Sequence, residues 1–133
     1  MAIILDADVI IRGEKGSFDL QGWLAAQPSE LFEVAAITVA ELWHGVERAT
    51  GTQKARRLRY LRAVLAPLPI LPYTEQTARE HARVWAELEA AGKMIGAYDV
   101  IVAATALERG SEVATFNKRH FDCVPGLKVI EPK

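Results

Sequence analysis

Two carboxylates interrupt the most apolar stretch near the start of the chain. In IILDADVII, residues 3–11, every residue except Asp6 and Asp8 is aliphatic or alanine. The β-branched beginning of this stretch predicts a strand that is buried on both faces. An ionised carboxylate in an apolar interior costs several kcal/mol or more unless something compensates for it. The fold or a ligand therefore has to account for these two aspartates.

The size and composition of the chain are typical of one globular domain. The chain has 133 residues, of which half are apolar and a quarter are charged. That length is sufficient to bury about two thirds of the unfolded surface, so we expect a single domain over residues 1–133. The formal net charge is −1. Any contact with nucleic acid must therefore come from local clusters of basic residues.

Cysteine content and hydropathy point to a cytoplasmic protein. Cys123 is the only cysteine, which excludes an intrachain disulfide and fits a reducing compartment. The apolar start lacks a basic segment and is interrupted by Asp6. The apolar stretch that begins at Val100 is far shorter than the roughly 20 residues that a bilayer requires. We therefore expect a cytoplasmic protein with no membrane partner.

Strand and helix patterns alternate along the rest of the chain. Further strands are predicted in LFEVAAI (31–37), ILPY (70–73), EVATF (112–116) and LKVIE (127–131). Helices are predicted between these strands, with starts at Ser17, Thr38, Gln53, Thr74 and Ala97. The alternation predicts a three-layer α/β/α fold with a central parallel sheet of about five strands.

The helix that follows Thr74 has the clearest pattern. Thr74 is a predicted cap, and Gly92 lies just past the predicted end. The apolar face is predicted to consist of Ala78, Ala82, Trp85 and Leu88.

Acidic residues recur where the predicted strands end. Asp6 follows the first strand, Glu41 lies near the start of the helix after the second, and Asp99 opens the helix before the fourth. Ligand sites in parallel sheets collect at the carboxyl ends of the strands, where the chain order reverses. We therefore expect these segments and residues 115–117 to converge on one edge of the sheet.

Each acid also has a purely structural explanation. Asp6 and Asp8 could cap the turn after the first strand. Glu41 follows Thr38 at the spacing of a capping box. Asp99 lies in a first helical turn, where the macrodipole favours a negative charge. Taken singly, none of these acids requires a catalytic role.

Taken together, the acids indicate a metal site. Three carboxylates at one edge would repel each other unless a cation lay between them. Mg²⁺ and Mn²⁺ prefer oxygen ligands and commonly bind a few carboxylates together with substrate phosphates. Such a site suits phosphodiester hydrolysis by an activated water, with a second ion, about 4 Å away, available for the leaving oxygen.

The chain resembles the PIN-domain ribonucleases, and most closely the VapC-type toxins of toxin–antitoxin pairs. The resemblance covers nearly the whole chain. It rests on IILDADVII, on ITVAELWHGVERA, on IGAYDVIVAATAL and on the closing segment VATFNKRHFDCVPGLKVIEP. It implies a Mg²⁺- or Mn²⁺-dependent endoribonuclease that forms a homodimer and is silenced by a cognate antitoxin protein.

The resemblance also assigns roles to individual residues. Asp6, Glu41 and Asp99 match the three central acids of the family, with Asp6 and Asp99 as direct metal ligands. Glu41 would bind a second ion or position water. Asn117 would hold a water or orient Asp6. The family often has a fourth acid two or three residues after this asparagine, where the present chain has His120.

Two alternative functions remain open at this point. His120 motivates a catalytically impaired PIN-like module that binds RNA or a protein without cutting. Asp6 and Asp8 also form a DxD motif after a strand, which opens the haloacid-dehalogenase phosphatases. That class needs a later lysine and an acidic pair, and the chain offers Lys118 without adjacent aspartates. We therefore expect Asp8 to be a helix cap or a supporting residue and not a nucleophile.

Two further features permit a functional and a structural explanation. The predicted helix from Gln53 is basic, and it could attract an RNA backbone or simply present a solvated face. Its basic residues are Lys54, Arg56, Arg57, Arg59 and Arg62. A second group of side chains would, by the resemblance, line a dimer or antitoxin contact, although core packing explains them equally well. This group consists of Phe18, Trp23, Leu24 and Trp43.

Overall fold

The structure is a computed structural model that describes residues 2–133. Its helices and strands are, in chain order, β1 Ala2–Leu5, α1 Ala7–Lys15, α2 Leu20–Ala25, β2 Leu31–Ala35, α3 Ala36–Arg48, α4 Gly51–Leu65, β3 Ile70–Leu71, α5 Glu75–Ala91, α6 Ala97–Arg109, β4 Glu112–Ala114, α7 Lys118–Phe121 and β5 Val129–Ile130. The described strands form one five-stranded sheet with the order β3-β2-β1-β4-β5. All its strand pairs are parallel. The predicted α/β fold with a parallel sheet of about five strands is confirmed.

The chain order reverses at the centre of the sheet. From β1 the chain adds β2 and then β3 on one side, and it later returns to add β4 and β5 on the other. β1 pairs with β4 through Leu5 and Ala114. Asp6 and Thr115, which follow these paired residues, therefore lie at the reversal point, where open α/β sheets bind their ligands.

The two faces of the sheet carry separate hydrophobic cores. Alternate side chains of a strand point to opposite faces. Ile3 and Leu5 pack in the core that contains residues of α1, α3 and α4, whereas Ile4 packs in the core that contains residues of α5 and α6. The three side chains are 0–2% exposed. Because both faces of β1 are covered, an unbroken apolar run is required there.

The predicted ends of α5 are confirmed. The Thr77 backbone N–H donates to Thr74 Oγ1 at 3.3 Å, and the Thr74 N–H donates to Thr77 Oγ1 at 3.1 Å. This reciprocal pair is a capping box in which threonine replaces the usual acid or amide. Gly92 ends the helix with φ +66°, a left-handed conformation that favours glycine.

The predicted apolar face of α5 is only partly correct. Val84 and Leu88 are buried together with Thr77, whereas Trp85 is 49% exposed. Residues of a helix share a face when they are three, four or seven positions apart. Val84 lies seven positions after Thr77 and therefore on the same face of the helix. Trp85 is the next residue in the chain, so its side chain points away from that face.

Several predicted boundaries are wrong. The helix α1 was not predicted, because its apolar residues also suit a continuation of the strand. α2 begins at Leu20 and not at Ser17, since Asp19 Oδ1 accepts a hydrogen bond from the Gly22 N–H at 3.0 Å. Strands β2 to β5 are shorter than predicted. None of the helices within residues 2–133 is long and apolar enough to cross a membrane.

The aromatic residues of the first half of the chain that were singled out above pack against the core. Phe18 contacts Phe116 edge to face with ring centroids 5.2 Å apart, and Trp23 lies 5.3 Å from Phe32. Phe18, Trp23, Leu24 and Trp43 all pack, partly buried, against the core that contains α1, α3 and α4. Core packing is therefore sufficient to explain them.

Candidate metal centre

Asp6 is the most enclosed acid at the reversal point. Asp6 is only 4% exposed. It serves as the cap of α1, because Oδ1 accepts a hydrogen bond from the Ala7 N–H at 2.9 Å. Oδ2 accepts from the Thr115 hydroxyl at 2.8 Å. Burial raises the pKa of Asp6, and the two hydrogen bonds partly oppose the increase.

Asp8 ties α1 to the segment after β4. Its carboxylate accepts from the Phe116 N–H at 3.1 and 3.4 Å. The cap of α1 is Asp6, so the alternative cap role of Asp8 is wrong and its role is to link two segments. Burial and the charge of Asp6 raise the pKa of Asp8 to about 6, against the opposing effects of the Phe116 hydrogen bond and of Arg12.

Glu41 faces the cluster from α3. Burial and the charges of Asp6, Asp99 and Asp8 together raise the pKa of Glu41 to about 7, and burial is the largest cause. Its Oε1 is buried and has no hydrogen-bond partner among residues 2–133. A buried carboxylate oxygen without a partner is costly unless a ligand or an ion satisfies it.

The predicted capping box of Thr38 and Glu41 is wrong. β2 continues without a loop into α3, so the helix begins at Ala36 with Ala35 at the cap position and no side-chain cap. Thr38 therefore lies inside the helix, where it is fully buried. The structural explanation for Glu41 is thereby removed, and its orientation toward the other acids remains to be explained.

Asp99 lies in the first turn of α6, as predicted. The cap residue is Gly96, and no side chain caps this helix. A Cβ atom added at Gly96 would lie 3.4 Å from Asp99 Oδ2, so the carboxylate folds back over this glycine. Burial and the charge of Asp6 raise the pKa of Asp99 to about 6, and nearby His120 opposes the increase.

The residue that donates a hydrogen bond to Asp6 is Thr115 and not Asn117. Thr115 is fully buried, and its hydroxyl donates to Asp6 while it accepts from the Asn117 N–H at 3.0 Å. The Asn117 side chain is exposed and makes no hydrogen bond within the described residues. The missed residue had a sequence signal, because threonine hydroxyls often bond to the backbone two residues on.

The segment around His120 contributes no acid to the cluster. His120 is exposed on α7, close enough to Asp99 to affect its pKa. Asp122 instead pairs with Lys118 at 3.0 Å. Lys118 is therefore engaged away from Asp6 and Asp8, and the lysine that a DxD phosphatase requires beside its aspartates is not supplied by this residue.

The four acids are electrostatically coupled but do not converge on one point. Asp6, Asp8, Glu41 and Asp99 come from three separate segments, and the charge of Asp6 raises the pKa of each of the other three. Within residues 2–133, no three His, Cys, Asp or Glu side chains stand close enough to hold a metal ion as they are placed. Mutual repulsion favours such a separation. The oxygen donors and the unpartnered Oε1 of Glu41 nevertheless suit a hard divalent cation.

Comparisons with known proteins identify the family of this chain. The family described as PIN domain matches residues 3–127. The VapC ribonuclease Y4jK of Sinorhizobium fredii is 35% identical, over 98% of this chain and 96% of its own length.

Solved structures have the same fold. The crystal structure of DNA-bound VapBC from Salmonella typhimurium superimposes with a TM-score of 0.89 and 27% identity, and 98% of each chain is covered. VapBC-5 from Mycobacterium tuberculosis, a member of the VapBC family of toxin-antitoxin systems, has a TM-score of 0.74 and 26% identity, over 98% of this chain and 96% of its own. The chain therefore belongs to the PIN-domain family and, within it, to the VapC-type ribonucleases of toxin–antitoxin systems.

Proposed function

We propose that this chain is a metal-dependent endoribonuclease that hydrolyses RNA phosphodiester bonds as the toxin of a type II toxin–antitoxin pair. One observation carries the proposal. Carboxylates from three separate segments are coupled at the reversal point of the sheet, and one buried oxygen of Glu41 is without a hydrogen-bond partner among the described residues. An uncompensated cluster of this kind destabilises a fold, so it is best explained by the ion that it binds.

We infer that Mg²⁺ or Mn²⁺ occupies this cluster in the active protein. Asp6 and Asp99 would be its direct ligands, and Glu41 would be a further ligand or would position water. A bound divalent ion supplies Lewis-acid chemistry, because it acidifies water and balances negative charge on a phosphate.

The side chains of the cluster have distinct tasks in this proposal. Asp6 is held from two directions, by the Ala7 N–H and the Thr115 hydroxyl, so its carboxylate keeps a fixed position. Glu41 faces the other acids from α3, and its carboxylate would position the attacking water. Asn117 follows Thr115 closely in the chain, and its exposed amide can hold a water near the substrate.

The proposed partners are RNA, a cognate antitoxin and a second copy of the chain, in the cytoplasm. The antitoxin is supported by the relation to VapBC-5, a toxin-antitoxin protein. A homodimer is supported by an exposed apolar surface on α5, α6 and the loop between them, where Trp85, Met94 and Tyr98 are each about half exposed and line a cavity of about 270 Å³. Sedimentation of the wild type and of Tyr98→Glu tests the dimer, since a charge on this surface is expected to yield monomers.

The decisive test of the nuclease is cleavage by antitoxin-free protein. Wild type should cut a mixture of structured RNAs that includes transfer RNAs when Mg²⁺ or Mn²⁺ is present, and it should cut nothing in excess chelator. Asp99→Asn should lower the rate by about 100-fold or more, as the loss of a preorganised electrostatic group does elsewhere. Asp122→Asn is the matched control, because Asp122 is paired with Lys118 outside the cluster.

A binding module without nuclease activity is the second candidate. It is motivated by His120, which stands close to Asp99 where relatives often have an acid. If wild type binds RNA and metal ions but cuts nothing, this candidate replaces the first. His120→Asp would then restore the fourth carboxylate, and gain of cleavage would identify the histidine as the cause.

A further inference from the structure

The basic helix α4 presents its cations in different directions. Arg57 lies against the core side, where Nε contacts Glu14 Oε2 at 3.2 Å and Nη1 donates to the Gly45 carbonyl at 3.0 Å. It joins α1, α3 and α4 and is occupied by these contacts. Arg62 is exposed and lines neither of the two cavities described below. The helix is therefore not a uniform basic surface.

A groove leads from the acidic cluster to α4. One cavity of about 210 Å³ begins at Glu41 and is lined by Glu14, Lys15, Arg57 and Tyr60. A second cavity of about 350 Å³ is lined by the same four residues, Glu14, Lys15, Arg57 and Tyr60. Gln53 and Arg56 complete its lining, and Glu41 is not part of it. Because the two cavities share four lining residues, they adjoin each other along a groove between α1 and α4. We call it the α1–α4 groove.

The α1–α4 groove carries positive charge. Glu14 is neutralised by Arg57. Lys15 and Arg56 are exposed, and neither forms an ion pair within residues 2–133. Two cations without acidic partners in that part of the chain therefore line the groove. Lys15 lines both cavities, and Arg56 lines only the cavity that does not include Glu41.

The groove has the chemistry that a nucleic-acid strand requires. A polyanion that approaches the acidic cluster is repelled by it, and cations that contact flanking phosphates offset that repulsion. The Tyr60 hydroxyl is already used, because it donates to the Ile10 carbonyl at 2.7 Å. Contact with the strand would therefore come from the charges of Lys15 and Arg56 and not from base-specific hydrogen bonds by Tyr60.

We propose that the α1–α4 groove holds the RNA strand next to the scissile bond, with Lys15 and Arg56 in contact with its phosphates. The proposal rests on the nuclease function proposed above and extends it by naming where the substrate lies. It assigns phosphate binding to Lys15 and Arg56 and not to Arg62, which lies on the same helix as Arg56 but does not line the groove.

The test is RNA binding in the absence of cleavage. All variants are made in Asp99→Asn, and binding of a fluorescein-labelled single-stranded RNA of mixed sequence is measured in chelator over a series of salt concentrations. Lys15→Gln and Arg56→Gln should each weaken binding by about two- to fivefold. Each should also make the slope of log affinity against log salt shallower by about 0.7, because one fewer phosphate is neutralised on a single strand.

Arg62→Gln is the matched control, since it removes the same charge from the same helix. Weaker RNA binding and a shallower slope in the groove variants only would support the proposal. Equal effects of all three substitutions would overturn it, because they would reflect general attraction. Thermal unfolding of each variant separates a loss of contact from a loss of fold.

Two further measurements distinguish RNA from an acidic protein and binding from cleavage. Polyglutamate that competes as strongly as unlabelled RNA, through the same two residues, would overturn the RNA assignment in favour of an acidic protein segment. Cleavage by wild type is measured separately. If the groove variants lose RNA binding while wild type cuts nothing, the groove proposal survives and the nuclease proposal fails.

Discussion

Carboxylates are arranged in opposite ways in two regions of this molecule. On the exposed face of α5, acids alternate with arginines, so that Arg79 pairs with Glu75 at 3.0 Å and Arg83 pairs with Glu80 and Glu87 at 2.7 Å. At the reversal point of the sheet, the acids have each other as charged neighbours, and burial raises the pKa of each.

The difference separates charges that water and an opposite charge stabilise from charges that burial and like charges destabilise. An exposed ion pair at helical spacing contributes only a few tenths of a kcal/mol, because water already solvates both partners. A half-buried acid beside other acids lowers stability, and that cost persists only where a ligand removes it. The comparison therefore points to the sheet edge, and not to the more heavily charged α5, as the functional region.

The largest expected effect is the response of stability to metal. Mg²⁺ should raise the thermal midpoint of the wild type, by the equivalent of about 2.7 kcal/mol when its concentration is about 100 times its Kd. Asp99→Asn should be more stable than wild type in chelator, because a repelling charge is gone, and should respond little to Mg²⁺. Differential scanning fluorimetry measures both effects. A full response in Asp99→Asn would show that the ion binds elsewhere.

The acidic cluster should make the folded state less stable as the pH rises. An acid whose pKa is lowered by folding has the opposite effect. Asp8, Glu41 and Asp99 have folded-state pKa values of about 6 to 7, above their ordinary values near 4. Between these limits the folded state binds more protons than the unfolded state, so this contribution to stability is present below about pH 4 and is lost as the pH rises through about 7.

In chelator, the thermal midpoint should therefore fall by several degrees between about pH 5 and about pH 8. Glu41→Gln should flatten this fall, since it removes the group whose pKa is raised to about 7. Unfolding scans at a series of pH values test the prediction. A midpoint that rises over this interval in the wild type, and equally in Glu41→Gln, would contradict it.

A smaller effect is expected at the residue that orients Asp6. Thr115→Val removes the hydroxyl that donates to Asp6 Oδ2, at a cost of about 1 kcal/mol in unfolding free energy. It should also raise the pKa of Asp6 further and weaken Mg²⁺ binding, as measured by calorimetry. In Thr105→Val the lost hydroxyl donates to the Ile101 carbonyl within α6. This control should be destabilised without a change in metal affinity. If Thr115→Val binds Mg²⁺ as tightly as the wild type does, Thr115 has no role in positioning Asp6 for the ion.

The smallest effect belongs to the paired surface. Arg83→Gln breaks two contacts, to Glu80 and Glu87, yet it should change the free energy of unfolding by less than about 1 kcal/mol because the side chains are substantially exposed. High salt should reduce the difference further. Urea titration measures it. A loss as large as that of Thr115→Val would mean that the two regions are less different than proposed.

The overall fold could be predicted because several local signals agreed. Strand and helix patterns alternate, Thr74 and Gly92 mark the ends of α5, and β1 is apolar on both faces. The boundary between β2 and α3 was not predictable from local signals, because threonine is a favoured residue type at a helix cap and Thr38 therefore suggested a later start of the helix. The direct passage from strand to helix at Ala35 is set by the packing of both elements, which a local pattern does not contain.

The site was predictable only in part, for a related reason. The positions of Asp6 and Asp99 at the ends of predicted elements follow from topology, and the structure places both at the expected edge. The hydrogen bond from Thr115 to Asp6 depends on how the segment after β4 turns, so a threonine was missed and Asn117 was favoured. The helix α1 was missed because the apolar residues that it buries also suit a strand.

The bond between Thr115 and Asp6 also has a consequence for synthesis. The two residues are 109 positions apart, and β1 lies beside β4 although most of the chain separates them. Contacts of such high sequence separation form late, because the intervening chain must be closed first. During translation, Asp6 emerges long before Asp99 and Thr115 exist. A partly synthesised chain therefore carries an acid with no cluster around it, and the site is assembled only after the chain has been made through Thr115.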